Sequence, residues 1–256
     1  MAGTDDPGFY GHHWSEIYDG CYGDLETNPA VTFLSKMAGR GRVLELAIGT
    51  GRLAIPLADL GVQVEGLDSS AAMVEAMRAK QGGEAIPVVI GDMAQALVDG
   101  MFAVVFVAFN SFFCLTSQAQ QVSCFRNVSR MLESGGLFVL ECFVPDPTQF
   151  TSRLRALDVS EAKVSFQLHG HNRAEQRVIS QTVTIDEHGV GIRPVIHRYA
   201  SPAELDLMAD LADMNLYARF GDWDGRPYTS HSVKHVSVYQ LRSPIDHDLN
   251  CTGVED

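Results

Sequence analysis

Between residues 42 and 142, short apolar runs alternate with stretches in which apolar residues recur every three to four positions. The runs 43–46, 62–67, 87–90, 102–108 and 137–142 are dense in Val, Ile, Leu and Phe and predict strands. The stretches 52–60, 71–80 and 118–132 predict helices, with Gly61, Gly82-Gly83 and Gly135-Gly136 marking where they stop or turn. Strands separated by helices give a parallel sheet with helices on both faces. The run 102–108 is apolar throughout, as a central strand covered on both faces must be. Right-handed crossovers line up the C-terminal strand ends along one edge, where open α/β sheets bind ligands.

Beyond Pro145-Asp146-Pro147 the period changes. Residues 164–169, 177–186 and 194–199 alternate polar and apolar, with a turn at His188-Gly189, and predict an inserted antiparallel sheet. Ser201-Pro202-Ala203-Glu204 combines an N-cap serine, proline at the first helical position and a capping-box glutamate, so a helix is expected to about residue 213. Residues 216–220 and 233–241 predict two closing strands, the last antiparallel. Ahead of the sheet, Phe9, Tyr10, Trp14, Tyr18, Tyr22 and Phe33 mark an aromatic helical flap. The expected division is a helical cap at 1–41, a core at 42–147 and an inserted sheet at 148–200. The rest of the core follows at 201–243, then a disordered tail at 244–256.

With 256 residues, 46% of them apolar, the chain can bury a full core. Its net charge of −13, with scattered basic residues, argues against nucleic acid as a partner. The longest apolar runs are too short to cross a bilayer and the N-terminal residues are polar, so no membrane partner or signal peptide is expected. Five cysteines without a CxxC pair fit free thiols in a reducing cytoplasm.

The chemistry concentrates where the first strand meets Gly49-Thr50-Gly51-Arg52-Leu53-Ala54, which satisfies the dinucleotide pattern G-x-G-x-x-G/A. Glycines there let backbone N–H groups approach a ligand. Glu45, just upstream, puts negative charge where a pyrophosphate would sit and argues against NAD. Acidic residues close three successive strands: Glu45, Asp68 and Asp92. That set suits S-adenosylmethionine (SAM). Asp68 can accept from the ribose hydroxyls and Asp92 from the adenine amino group, with the Met93 N–H toward the ring. Glu45 favours the cationic methionyl end, beside the backbone of Ala47 and Gly49.

Three segments are Val43-Leu44-Glu45-Leu46-Ala47 running through Gly49-Thr50-Gly51-Arg52, Gly66-Leu67-Asp68 with Ser70 and Met73, and Gly91-Asp92-Met93. Together they resemble the class I SAM-dependent methyltransferases. The resemblance implies an α/β, Rossmann-like, seven-stranded, mostly parallel sheet with an antiparallel last strand, helices on both faces and the inserted antiparallel sheet beside the substrate. It implies SAM as cofactor and S-adenosylhomocysteine as product. The cofactor residues would be Glu45, Ala47, Gly49, Gly51 and Arg52 in the first segment, and Asp68, Ser69 and Met73 in the second. Gly91, Asp92 and Met93 form the third, and Phe109 follows the fourth strand. Ala47 stands where most members carry glycine, a change that costs little unless the position needs positive φ. The Tyr18-Asp19-x-x-Tyr22 element is similar to that of small-molecule methyltransferases such as natural-product sugar N-methyltransferases. In these, an N-terminal tyrosine approaches the sulfonium, which implicates Tyr22 and its neighbour Tyr18.

Methyl transfer is an SN2 displacement in which the protein aligns a nucleophile and excludes water. An amine needs no strong base, whereas a hydroxyl needs its proton removed. Acceptor-side candidates are Asn110 and Phe113 after the fourth strand, Glu141 and Phe143 at the exit of the fifth, Tyr199 in the insertion, and Trp223. His197 is the candidate base and Tyr22 the candidate catalytic tyrosine. The bland alternatives are a satisfied sheet-face histidine and, for Trp223, an aromatic pinning a loop. His169 and His171 lack carboxylate partners at metal-ligand spacing, so no metal is expected. The expected function is methyl transfer to N or O of a small molecule, in natural-product biosynthesis. An NAD-dependent oxidoreductase and a non-catalytic SAM-binding protein are the alternatives, and monomer and homodimer stay equally open.

Overall fold

The computed structural model describes residues 7–23, 25–146 and 154–242. The tail expected at 244–256 and residues 148–153 of the insertion lie outside the described residues. Three short helices come first: α1 (Phe9–Trp14), α2 (Tyr18–Tyr22) and α3 (Asn28–Ala38). The core follows as β1 (Val43–Leu46), α4 (Ala54–Asp59), β2 (Val64–Asp68), α5 (Ala71–Arg78), β3 (Val88–Ile90), β4 (Phe102–Val107), α6 (Gln118–Met131) and β5 (Leu132–Phe143). Next come β6 (Arg155–Val159), β7 (Lys163–Asn172), β8 (Arg177–Asp186) and β9 (Gly189–Arg198). The chain closes with α7 (Pro202–Asp210), β10 (Met214–Phe220) and β11 (Lys234–Leu241).

The large sheet has the order β10-β11-β5-β4-β1-β2-β3. Strands β5, β4, β1, β2 and β3 pair in parallel, and β11 runs antiparallel to both β5 and β10. Every residue of β1, and all of β4 except Ala103, is buried, which is why those runs carry no polar alternation. Successive residues of β4 serve opposite cores: Val105 and Val107 pack on one side of the sheet, Val104 and Phe106 on the other. Helix α6 opens with a reciprocal capping box between Ser117 and Gln120, and Ser201 caps α7 by accepting from the Glu204 N–H at 3.2 Å.

Several boundaries differ from the sequence reading. Helix α4 begins at Ala54, because Arg52 and Leu53 are consumed by the glycine turn. Strand β5 begins at Leu132, which pairs with Phe102; Gly135, at φ +73°, sits inside an irregular register rather than in a separate turn. Helix α7 ends at Asp210, since the chain leaves through Asp213 at φ +58°. Among the described residues the insertion holds four strands in the order β6-β7-β8-β9, and β6 carried too little alternation to be seen. Among the described residues no helix is long and apolar enough to cross a membrane.

Candidate active site

Strand β1 delivers the chain into a turn with Ala47, Gly49 and Gly51 all at positive φ (+55°, +57° and +77°). Ala47 therefore occupies the left-handed conformation after all, at a cost of about 1–2 kcal/mol for an L-residue. At Gly51 a Cβ would also lie 2.5 Å from Met77 Cγ, so only glycine lets α5 pack under the turn. Asp68, at the end of β2, holds the turn from below. One carboxylate oxygen accepts from the Gly49 N–H (2.7 Å), the other from the Ser70 N–H (2.8 Å). Burial raises the Asp68 pKa, opposed by those amides. A carboxylate offers about four lone-pair sites, so capacity remains for a ligand hydroxyl.

Beneath the turn lies a narrow recess of about 30 Å³, lined by Tyr18, Glu45, Gly49, Arg52 and Phe109 among others. Burial pushes the Glu45 pKa well up, and the nearby Arg52 pulls it down. One Glu45 carboxylate oxygen and the Arg52 Nε are both buried without a hydrogen-bond partner. Orphaned buried groups of opposite charge are costly unless a ligand completes them. An α-amino acid end does so, its ammonium toward Glu45 and its carboxylate toward Arg52. The residues present thus fit SAM.

The recess adjoins a cavity of about 280 Å³. The structure brings Ala47, Gly49, Asp68, Ser69 and Met73 to its wall, along with Gly91, Asp92 and Met93. Asp92 accepts from the Ala94 N–H at 2.9 Å, which fixes its carboxylate at the β3 exit. Tyr18, Tyr22, Phe109 and Asn110 line it as well, whereas Glu45 and Arg52 face only the recess and Gly51 lies behind the turn.

The N-terminal helices form the roof. Gly11 lets α1 approach Ser70 so closely that a Cβ would lie 2.1 Å from the serine Oγ. Asp19 of α2 accepts from Thr50 Oγ1 (2.7 Å) and from Lys80 Nζ (2.8 Å), latching the tyrosine-bearing helix to the glycine turn. The Tyr22 ring meets Tyr18 at 5.0 Å and Phe109 at 5.2 Å, and Tyr10 stacks on Trp14 at 5.8 Å. Burial raises the Tyr22 hydroxyl to about 12 and the Tyr10 hydroxyl further, so both are neutral donors.

The inserted sheet contributes Gln167, Ser180, Val195 and His197, and Trp14 Nε1–H of α1 donates to its Pro194 carbonyl at 3.2 Å. Burial lowers the His197 pKa to about 4, which keeps its ring neutral. Five residues assigned to the substrate wall lie elsewhere. Glu141 accepts from the Phe109 N–H (2.8 Å) and pairs with Lys234 (3.4 Å), so it holds Phe109 and Asn110 in their left-handed conformations rather than facing substrate. Phe143 lies behind His197, with ring centroids 6.0 Å apart, and donates its N–H to Asn110 Oδ1. Phe113 is wholly buried against Phe143. Tyr199 is buried and shares a 2.9 Å hydrogen bond with His171 Nε2. Trp223 packs edge-on to Phe33 in the core and pins the 221–225 loop. The reading missed Tyr10 and Trp14 as wall residues, although both stood in the aromatic stretch. It also missed Gln167 and Ser180, whose only signal was their place on the polar face of alternating strands.

A methyltransferase domain model matches residues 43–136. The CcbJ methyltransferase from Streptomyces caelestis is 33% identical and superposes with a TM-score of 0.83, over 92% of this chain and 98% of that one. The chain belongs to the SAM-dependent methyltransferases. This methyltransferase is also 27% identical over 206 residues to the cypemycin N-terminal methyltransferase of a Streptomyces species, covering 77% of this chain and 82% of the relative. It shares its fold (TM-score 0.69, 18% identity, 88% and 96% covered) with SAM-bound CalS10, an amino pentose methyltransferase from Micromonospora echinaspora. SAM is the methyl donor, and the oxidoreductase and non-catalytic readings fall away.

Proposed function

We propose that this methyltransferase acts on the nitrogen of a small uncharged amine in natural-product biosynthesis. The observation that carries this reading is the acceptor-side wall. Its polar groups are Gln167, Ser180 and His197, none of them charged, under an aromatic roof of Tyr10, Trp14 and Tyr22. A histidine held near 4 by burial is far too weak a base to ionise an alcohol. A neutral amine attacks with its own lone pair and releases its proton to water after transfer, so no strong base is required. The relatives named as an N-terminal methyltransferase and an amino pentose methyltransferase support the same class.

In this reading Glu45 and Arg52 hold the amino-acid end of the cofactor, Asp68 the ribose and Asp92 the adenine. Bound there, SAM supplies an electrophilic methyl carbon on a sulfonium. Helices α1 and α2 cap the cavity and exclude water, and the inserted sheet is its acceptor-side wall. Tyr22 lies beside the reacting end, its neutral hydroxyl and electron-rich ring suited to a cationic neighbour. His197 orients the amine by accepting its N–H. Free thiols at Cys21, Cys114, Cys124 and Cys142 suit a reducing compartment, and the cytoplasm is the proposed location.

The test pairs small amines with the alcohols of the same skeleton, incubated with SAM, and locates the added methyl by mass spectrometry. Methylation of amines alone supports the reading; methylation of the alcohols overturns it. His197→Phe should lower kcat/KM while leaving the acidic limb of the pH profile in place. A general base would instead cost about 10²–10⁴-fold and take that limb with it.

A further inference from the structure

The inserted sheet rejoins the core through a knot of charged and amide groups. Arg198 ends β9, and its buried side chain reaches three separate elements. Nη1 donates to Gln121 Oε1 of α6 at 2.6 Å. Nη2 donates to Gln176 Oε1, just ahead of β8, at 2.9 Å and to Glu204 Oε1 of α7 at 2.7 Å. The Gln121 amide in turn donates to the Arg198 carbonyl at 2.7 Å and to that of Leu115 at 3.2 Å, and Leu115 lines the cavity. Gln176 and Gln118 each donate to the Glu204 carboxylate at 2.8 Å. Val178 and Tyr199 pack the base of the sheet into the core, but apolar packing has no preferred direction. A planar guanidinium with acceptors on three elements does.

We propose that Arg198 is a positioning residue for methyl transfer: its guanidinium sets the angle at which the inserted sheet stands beside the cavity, and thereby the placement of the acceptor. This role rests on the reading of the sheet as the acceptor-side wall. Leverage gives the magnitude. Arg198 pairs with Arg177 at one end of the sheet. His197 is the neighbouring residue, Val195 with Ser180 comes next on its face, and the row Gln167–Thr182–Arg193 follows. Gln167, Ser180, Val195 and His197 all line the cavity. The Gln167 row therefore lies about 17 Å from Arg198, at about 3.4 Å per residue. A tilt of about 3° about Arg198 shifts that row by about 1 Å and His197 by about 0.2 Å on the same strand geometry. An SN2 displacement needs its nucleophile in line, and about 1 Å of misplacement costs on the order of 100-fold. The roof shares this alignment, because Trp14, 3% exposed, donates to the Pro194 carbonyl in the part of β9 that a tilt would move.

Arg198→Lys tests this, because an ammonium keeps the pairing with Glu204 but cannot hold three acceptors in one plane. The first readout needs no acceptor. In a Trp223→Phe background Trp14 is the one tryptophan left, and its quenching by acrylamide should rise several-fold in Arg198→Lys, with the affinity for S-adenosylhomocysteine unchanged. The second uses the amines methylated in the assay above: kcat should fall about 10- to 100-fold while KM for SAM stays the same. Arg198→Met sets the scale for stability. Lysine should recover much of the urea midpoint that methionine loses, but little of the kcat. Unchanged Trp14 quenching in Arg198→Lys overturns the proposal whatever the acceptor is, and so does a kcat that recovers in step with the midpoint. Should no amine be methylated, the acceptor reading falls, and the quenching alone decides the role of Arg198.

Discussion

Asp68→Ala tests the central arrangement of the site, because one carboxylate serves both the fold and the ligand. In the structure it accepts from the Gly49 N–H at 2.7 Å and from the Ser70 N–H at 2.8 Å. Truncation leaves two backbone donors without a partner, and bonds to a charged acceptor contribute about 1.5–3 kcal/mol each. Removing a buried carboxylate whose burial already raises its pKa returns part of that. The expected net loss is about 2–4 kcal/mol, read as a lower urea midpoint at constant m. Asp68→Asn keeps one acceptor oxygen and should lose about half as much. If the remaining lone pairs also hold the ribose, Asp68→Ala should weaken S-adenosylhomocysteine by about 1.5–3 kcal/mol, or about 10- to 150-fold, by titration calorimetry on the folded variant. Unchanged midpoint and unchanged affinity would refute the assignment of Asp68 to both tasks. A lower midpoint with unchanged affinity would refute the ligand role alone.

Ala47→Gly should stabilise the protein by up to about 1 kcal/mol, since relief of a left-handed alanine exceeds the added freedom of the unfolded chain; a lower melting temperature would contradict the conformation at φ +55°. His235 is fully buried, shares a 2.8 Å hydrogen bond between its Nδ1 and Ser237 Oγ, and has no partner for Nε2. Burial first, then Arg219, lowers its pKa to about 4. The unfolded chain, titrating near 6.5, therefore binds the proton more readily. The His235 contribution is complete above about pH 6.5, declines as pH falls toward 4 and is flat below, for a total of up to about 3 kcal/mol. Urea midpoints measured across that window should show this slope, and His235→Asn should flatten it.

Legibility in the sequence followed the range of the interaction concerned. The strand at 43–46, the glycine turn and the acidic residues closing three strands are local features, and Ala47, Gly49, Asp68, Asp92 and Met93 do meet at one cavity. The cap at Ser201 was readable because a cap is satisfied within four residues. Glu141 was misread for the opposite reason. A carboxylate at a strand exit looks the same whether it faces a ligand or staples the Phe109 amide of a neighbouring strand. Trp223 likewise faces Phe33, nearly two hundred residues away in sequence, and nothing local distinguishes that contact from a pocket wall.

The sequence by itself determined the donor half of this protein. A turn that must admit backbone N–H groups, and anions that must sit at strand ends, are written in residue types at short spacing. Only the tertiary structure decided the cavity wall that the insertion builds. Which face of β7, β8 and β9 turns inward depends on how the insertion lies over the strand ends. Alternation specifies two faces without saying which one meets the cavity. The packing chose the polar face for Gln167, Ser180 and His197, and left Val190 and Ile192 turned outward.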